Sequence, residues 1–88
     1  MNITFNGKIV IVTGASPGFG QGISKAFCER GAYVWGCDLD KEGLLATQAA
    51  CGENFHFRTL DVADESLVTE FVKRACEKTG RVDILINN

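Results

Sequence analysis

The sequence predicts an α/β protein in which parallel strands alternate with helices in the order β-α-β-α-β-α-β. Short apolar runs, which are typical of strands buried on both faces, alternate with longer segments in which apolar residues recur every three or four positions. A glycine follows each of the three helical segments and provides a natural stop. Such alternation favours a parallel sheet with right-handed crossovers.

Four strands are predicted from runs rich in β-branched, aromatic and other apolar residues. They cover residues 7–13, 32–38, 55–60 and a last segment of Val82 with 84–86. The third strand alternates at first, with Phe55 and Phe57 on one face and His56 and Arg58 on the other. This alternation is typical of a strand near an edge of the sheet.

Three helices are predicted between these strands, over residues 19–30, 41–51 and about 65–78. Asp40 and Asp64 stand where an N-cap is expected for the second and third helices. Periodicity predicts an inner face for each helix. Those faces consist of Ile23, Ala26 and Phe27 in the first helix, Leu44, Leu45, Gln48 and Ala49 in the second, and Leu67, Val68, Phe71, Val72, Ala75 and Cys76 in the third.

Length and charge narrow the class of protein. With 88 residues the chain forms one domain at most, predicted as residues 1–88. A net charge of −2 disfavours a nucleic-acid binder, and no apolar run approaches the length that spans a bilayer. The first residues lack the pattern of a signal peptide, so a cytoplasmic location is predicted.

The four cysteines, Cys28, Cys37, Cys51 and Cys76, include no Cys-x-x-Cys pair, and His56 is the only histidine. A zinc site is therefore not expected. Four cysteines formally allow two disulfides, but each lies within an apolar or helical pattern. Buried free thiols are the favoured interpretation, since free cysteine packs as a small apolar side chain.

A glycine-rich turn connects the first strand to the first helix, with the sequence Thr-Gly-Ala-Ser-Pro-Gly-Phe-Gly from Thr13 to Gly20. Gly14 allows a tight turn, Gly18 allows a pyrophosphate to approach the backbone, and Gly20 allows the helix to pack closely on the strand. The helix N-terminus then faces a phosphate. Taken alone this motif is a weak signal, because a turn at a helix start without a ligand remains an alternative.

Asp38 strengthens the interpretation because it ends the second strand. A carboxylate there accepts hydrogen bonds from both ribose hydroxyls of an adenosine and repels a 2′-phosphate, which favours NAD over NADP. Asp38 as a solvated turn or cap residue is the alternative. Asp40 is also placed for either role, the ribose contact or the cap. Lys41 is a nearby cation that would weaken the discrimination between NAD and NADP.

With the glycine turn and Asp38 in these positions, the chain resembles the short-chain dehydrogenase/reductase family. The turn matches the family's Thr-Gly-x-x-x-Gly-x-Gly motif, Asp38 matches the acid of its NAD-preferring members, Asp61-Val62 resembles its adenine-contacting loop, and Asn87-Asn88 resembles the start of its Asn-Asn-Ala-Gly motif. The resemblance implies a partial Rossmann fold with sheet order 3-2-1-4. It also implies cofactor contacts by Gly14, Ser16, Pro17, Gly18, Phe19, Gly20, Asp38, Leu39, Asp61, Val62, Asn87 and Asn88.

Two residues in the turn depart from the family pattern. Pro17 has no N–H to donate to a phosphate, and Phe19 occupies a position where a smaller aliphatic side chain is more usual. The family's catalytic Asn, Ser, Tyr and Lys lie beyond Asn88. Tyr33 does not replace that tyrosine, because Cys37 stands where the lysine of Tyr-x-x-x-Lys would be. Tyr33 is expected to be a packing residue, and no catalytic residue is assigned.

The resemblance implies that a parent enzyme transfers a hydride between NAD(H) and a small carbonyl or alcohol substrate, while this chain alone is catalytically incomplete. The last strand would then have a bare apolar edge, so a homo-oligomer is expected. Two alternatives stay open. One is a non-enzymatic nucleotide-binding or assembly module, and the other is a methyltransferase of similar fold, disfavoured because its glycine turn would follow an acidic residue rather than Thr13.

Overall fold

A computed structural model describes residues 3–15 and 18–88 and, for Phe19, the backbone alone. The elements follow the predicted order, and every bound agrees with the predicted one to within two residues. The strands are β1 (Ile9–Thr13), β2 (Tyr33–Asp38), β3 (Phe55–Thr59) and β4 (Ile84–Asn87). The helices are α1 (Phe19–Glu29), α2 (Lys41–Cys51) and α3 (Glu65–Thr79).

The four strands form one parallel sheet in the order β3-β2-β1-β4, which confirms the predicted topology. In the centre, Ile11 lies between Trp35 of β2 and Leu85 of β4. Asp83 anchors the start of β4, because its carboxylate accepts a hydrogen bond from the Ile9 amide at 2.8 Å and its own amide donates to the Ile9 carbonyl at 2.9 Å. The hydrogen bond from the Ile9 amide, with those from the neighbouring Arg81, holds the pKa of the Asp83 carboxyl below its usual range.

A hydrophobic cluster lies on each face of the sheet. On the side of α1 and α2 the buried residues are Val10, Val12, Ala15, Ala32, Val34, Leu44 and Phe55. On the side of α3 they are Ile11, Cys37, Leu60, Phe71 and Ala75. Burial of apolar surface on both faces explains why β1 in the centre is a nearly continuous apolar run.

Both predicted aspartate N-caps are confirmed. Asp40 accepts a hydrogen bond from the Gly43 amide at 3.0 Å. Asp64 accepts from the amides of Ser66 and Leu67 at 3.1 and 3.2 Å, and its hydrogen bonds lower the pKa of this carboxyl. Side-chain oxygens thus satisfy N–H groups that have no partner within the helix.

The predicted inner face of α2 is wrong in three of its four residues. Leu44 is buried, but its buried companions are Gly43 and Thr47, whereas Leu45 is 47% exposed. Gln48 and Ala49 are also exposed. The reason is close packing, because α2 turns Gly43 and the hydrogen-bonded Thr47, together with Leu44, toward the rest of the protein. The other three residues of the predicted face then point outward.

The other two helices bury a narrower stripe than predicted. Ala26 of α1 is exposed, and so are Leu67 and Cys76 at the margins of the α3 stripe. Phe71 and Ala75 form the buried part of α3. A single helix against a sheet buries only the residues that point directly at the strands, so the margins of a wide apolar stripe stay in contact with water.

All four cysteines are free thiols, but only Cys37 is fully buried. Burial raises the pKa of its thiol to about 11. Cys28 and Cys51 are partly buried and Cys76 is exposed, which corrects the prediction for these three.

The structure also tests the expectations for two other side chains. Tyr33, the first residue of β2, is 44% exposed rather than packed. His56 is exposed whereas Phe55 is buried, as the predicted alternation implies, and the His56 ring lies 4.9 Å from that of Trp35, measured between centroids. Within residues 3–15 and 18–88, the helices are too short and too polar for any of them to cross a bilayer.

Candidate functional site

The predicted site residues converge on one edge of the sheet, where the four parallel strands reach their carboxyl ends. Gly14 follows β1, Asp38 ends β2, Asp61 follows β3 and Asn87 ends β4. In open α/β sheets, ligands bind outside this edge. The topology therefore brings together residues that are far apart in the sequence.

The glycine turn is tied to β2 through its first two amides. Gly14 and Ala15 donate hydrogen bonds to the Cys37 carbonyl at 2.8 and 3.1 Å. Gly14 has φ +71° and Gly18 has φ +102°, backbone conformations that side chains other than glycine rarely adopt. Ser16 and Pro17, which complete the predicted turn, lie outside the described residues, as does the side chain of Phe19.

Gly20 brings α1 onto the end of β1. A methyl group at Gly20 would overlap the Gly14 carbonyl oxygen and lie 2.8 Å from the Ala15 Cα. The neighbouring atoms belong to the backbone and cannot rotate away. The close helix–strand approach predicted for this glycine is therefore present.

The N-terminus of α1 has the features of an anion site. Gly18 occupies the N-cap position, no side chain among the described residues caps the helix, and the first turn carries no acid. A Cβ at Gly18 would meet no atom within 4 Å, so open space lies in front of this backbone. N–H groups in the first turn of a helix have no intrahelical acceptor, and together with the helix dipole they favour a bound phosphate.

Asn87 and Asn88 brace the turn from the side of β4. The Thr13 hydroxyl donates to the Asn87 side-chain oxygen at 3.0 Å, and the Asn88 side-chain amide donates to the Gly14 carbonyl at 3.0 Å. The Asn88 backbone amide also donates to the Thr13 carbonyl at 3.2 Å. Both asparagines therefore hold Thr13 and Gly14 in place.

Asp38 and Leu39 form the wall on the side of β2. Asp38 is partly buried, and its carboxylate accepts a hydrogen bond from the Asp40 amide at 3.0 Å. Its carbonyl accepts from the Leu60 amide at 2.9 Å, which joins this wall to the loop after β3. Leu39 is 65% exposed and offers an apolar surface beside the carboxylate.

The loop after β3 is closed by Asp61. Its carboxylate accepts a hydrogen bond from the Ala63 amide at 2.9 Å, and the adjacent Val62 is 41% exposed. Among the described residues, no three His, Cys, Asp or Glu side chains are grouped to hold a metal ion. The groups available at this edge are those that suit a nucleotide: backbone amides, carboxylates and exposed apolar side chains.

Thr47 supports the turn from α2, and the sequence analysis did not identify it. Its side chain is fully buried, and its hydroxyl donates to the Ala15 carbonyl at 2.8 Å, with the Gly43 carbonyl also within reach at 3.0 Å. The only signal in the sequence was its spacing of three from Leu44. That spacing placed a polar residue on an apolar face, where it would need a hydrogen-bond partner.

We expect the substitution Thr47→Val to lower the free energy of unfolding by about 1–3 kcal/mol, because it removes the donor to the buried Ala15 carbonyl. Thr47→Ser keeps the hydroxyl and is the matched control. Denaturant unfolding of both variants measures the effect. Equal stability of the valine and serine variants would show that this hydrogen bond does not hold the turn.

Comparison with known proteins gives the chain a family. A sequence model of the short chain dehydrogenases matches residues 8–88. The 3-oxoacyl-(acyl-carrier-protein) reductase FabG of Chlamydia pneumoniae is 38% identical, in an alignment that spans 100% of this chain and 37% of that protein. The oxidoreductase UcpA of Escherichia coli K12 is also 38% identical, over 93% of this chain and 32% of its own length.

Solved structures agree with these relatives. A 3-ketoacyl-(acyl-carrier-protein) reductase from Brucella melitensis, complexed with NADH, superposes with a TM-score of 0.83 at 36% identity, over 93% of this chain and 34% of that one. The apo-form of a glucose dehydrogenase from Caenorhabditis elegans superposes with a TM-score of 0.87 at 30% identity, over 98% and 39% of the two chains. The chain thus spans about a third of the length of these relatives, and it belongs to the short chain dehydrogenase family.

Proposed function

We propose that residues 1–88 form the NAD-binding part of a Rossmann domain in a short-chain oxidoreductase. The complete enzyme would transfer a hydride between NAD(H) and a small carbonyl or alcohol substrate, chemistry that the nicotinamide supplies when it is bound. The protein's part is to bind and orient the dinucleotide along the edge formed by the strand ends.

The observation that carries this proposal is the position of the Asp38 carboxylate. It lies at the end of β2, next to the strand whose turn opens the anion site at α1. Asp40 caps α2, whereas Asp38 ends β2 at the edge of the sheet, and we therefore assign Asp38 to the ribose hydroxyls by its position. Its negative charge supports NAD over NADP, because it would repel a 2′-phosphate.

We assign the remaining contacts by position. The backbone of Gly18, Phe19 and Gly20 would hold the pyrophosphate, with Ser16 and Pro17 in the same turn. Leu39, Asp61 and Val62 would surround the adenine, and Gly14, Asn87 and Asn88 would support the riboses. No catalytic residue is assigned in this chain, and Tyr33 begins β2 at the opposite end of the strands from the site.

Calorimetric titration of the purified protein with NAD, NADP and S-adenosylmethionine tests the proposal. We expect NAD to bind more tightly than NADP, and S-adenosylmethionine not to bind. Equal or tighter binding of NADP would overturn the assignment of Asp38 to the ribose, while binding of S-adenosylmethionine alone would favour a methyltransferase.

We further propose that the 88-residue chain associates into a homo-oligomer through β4. This strand is an edge of the sheet, and Leu85 at its centre is 50% exposed. Unpaired strand edges favour pairing with another chain. Analytical ultracentrifugation should show concentration-dependent association that Leu85→Lys reduces. A stable monomer at micromolar concentration would contradict this proposal.

We also propose that the protein is located in the cytoplasm. Fractionation of cells that produce the tagged protein would test it, with a secreted or membrane-bound signal counting against it.

A further inference from the structure

Two cysteines meet where the C-terminal ends of α1 and α2 pack together. Cys28 lies in the last turn of α1, and Cys51 is the last residue of α2. Each thiol influences the pKa of the other, and both side chains are partly buried against the hydrophobic cluster on this face of the sheet. The two thiols are therefore neighbours, and neither is fully enclosed by the protein.

The other two cysteines lie on the opposite side of the sheet. Cys37 is buried in the cluster beneath α3, and Cys76 is exposed on α3 itself. Because the sheet separates the two pairs, neither of these thiols can bond to Cys28 or Cys51 within one folded chain. The contact between Cys28 and Cys51 is specific to this pair.

We propose that Cys28 and Cys51 form a redox-active dithiol site, which reacts with a low-molecular-weight disulfide of the glutathione type and closes into an intramolecular disulfide between α1 and α2. The two cysteines lie at the C-terminal ends of α1 and α2, away from the carboxyl ends of the strands. The dithiol site therefore does not depend on the proposed cofactor site.

The reaction is an exchange in two steps. The thiolate of Cys51 attacks one sulfur of the small disulfide, which forms a mixed disulfide and releases one small thiol. The thiolate of Cys28 then attacks the Cys51 sulfur and releases the second small thiol. Overall, two protein thiols and one small disulfide give one protein disulfide and two small thiols, and two electrons pass to the small molecule.

The surroundings assign the first attack to Cys51. Burial raises the pKa of the Cys51 thiol, and the nearby Glu29 carboxylate adds to this, but the interaction with Cys28 and the Lys25 ammonium act in the opposite direction and favour the thiolate. Burial raises the pKa of the Cys28 thiol to about 12. Neither thiol is an activated nucleophile, so slow exchange with disulfides suits this site better than rapid reaction with peroxides.

Closure of the site would join two helices that both support the glycine turn. The turn leads directly into α1, and α2 holds Ala15 through Thr47. A covalent link between the far ends of these helices restricts the unfolded chain. Oxidation should therefore raise the stability of the unit that carries the turn.

The test is equilibration of the full chain with mixtures of reduced and oxidised glutathione at mildly alkaline pH, followed by alkylation and mass spectrometry. We expect the loss of two hydrogens per chain, a cross-linked peptide pair containing Cys28 and Cys51, and a rise in Tm of about 10 °C that dithiothreitol reverses. Persistent glutathione adducts on either cysteine, without the cross-link, would overturn the proposal.

Single variants distinguish this closure from nonspecific oxidation. Cys28→Ser should stop at a mixed disulfide between Cys51 and glutathione and show no rise in Tm of this size. Cys76→Ser, the matched control, should close as the parent protein does. If Cys76→Ser abolishes the cross-link, oxidation proceeds through the exposed thiol and the proposed site is wrong.

Discussion

Gly20→Ala should lower the free energy of unfolding by about 3 kcal/mol or more, which corresponds to a fall in Tm of about 12 °C or more. The added methyl group would overlap the carbonyl oxygen of Gly14, and the atoms around it belong to the backbone. Relief of this overlap requires α1 to move away from the end of β1. Thermal unfolding followed by circular dichroism measures the loss, and titration with NAD should show weaker binding at the displaced turn.

Gly22→Ala is the matched control for this prediction. Gly22 lies two positions after Gly20 in the same helix and is exposed. A Cβ at Gly22 would meet no atom within 4 Å. Alanine is the better helix former, so this variant should gain about 0.8–1 kcal/mol. If both alanines destabilised the protein equally, the close contact at Gly20 would not be the cause of the loss.

Asp38→Ala should weaken NAD binding by about 10- to 100-fold. Hydrogen bonds to a charged group contribute about 1.5–3 kcal/mol, and each 1.4 kcal/mol is a tenfold change in affinity. NADP binding should weaken less or improve, because the charge that would repel its 2′-phosphate is removed. Competitive titration with the two dinucleotides measures both effects as a ratio of dissociation constants.

Two further variants separate the roles of the neighbouring acids. Asp38→Asn keeps an acceptor for the Asp40 amide while removing the charge, so it should reduce discrimination between NAD and NADP and preserve the local fold. Asp40→Asn keeps a side-chain cap for α2, since asparagine caps about as well as aspartate. Unchanged NAD affinity in Asp38→Ala, or a large loss of NAD affinity in Asp40→Asn, would show that Asp38 does not make the ribose contact.

The order of the elements could be predicted because its signals are local, whereas the sheet order 3-2-1-4 followed from the resemblance to the short-chain dehydrogenase/reductase family. Apolar runs mark the strands, and Asp40 and Asp64 cap the helices that follow them. The convergence of Gly14 and Asp38 on one edge then follows from the parallel arrangement. No knowledge of side-chain packing was needed for any of these inferences.

The features that sequence reasoning missed depend on how helices pack against one another. The inward rotation of α2 places Thr47 rather than Leu45 toward the turn, because the buried carbonyl of Ala15 offers Thr47 a partner. The contact between Cys28 and Cys51 likewise depends on the approach of α1 to α2. Periodicity identifies the residues of one helix face but carries no information about the neighbouring helix.

The position of β1 between β2 and β4 has a consequence for the order of folding. β1 pairs with β2 across a single helix, but its bonds to β4 join residues that are 74 positions apart, as in the contact between Thr13 and Asn87. Pairing of residues so distant in the chain is slow, since a long loop must close before any contact forms. We therefore expect the first three strands to pair before β4 joins the sheet. The glycine turn acquires its last supports, Asn87 and Asn88, only when β4 docks.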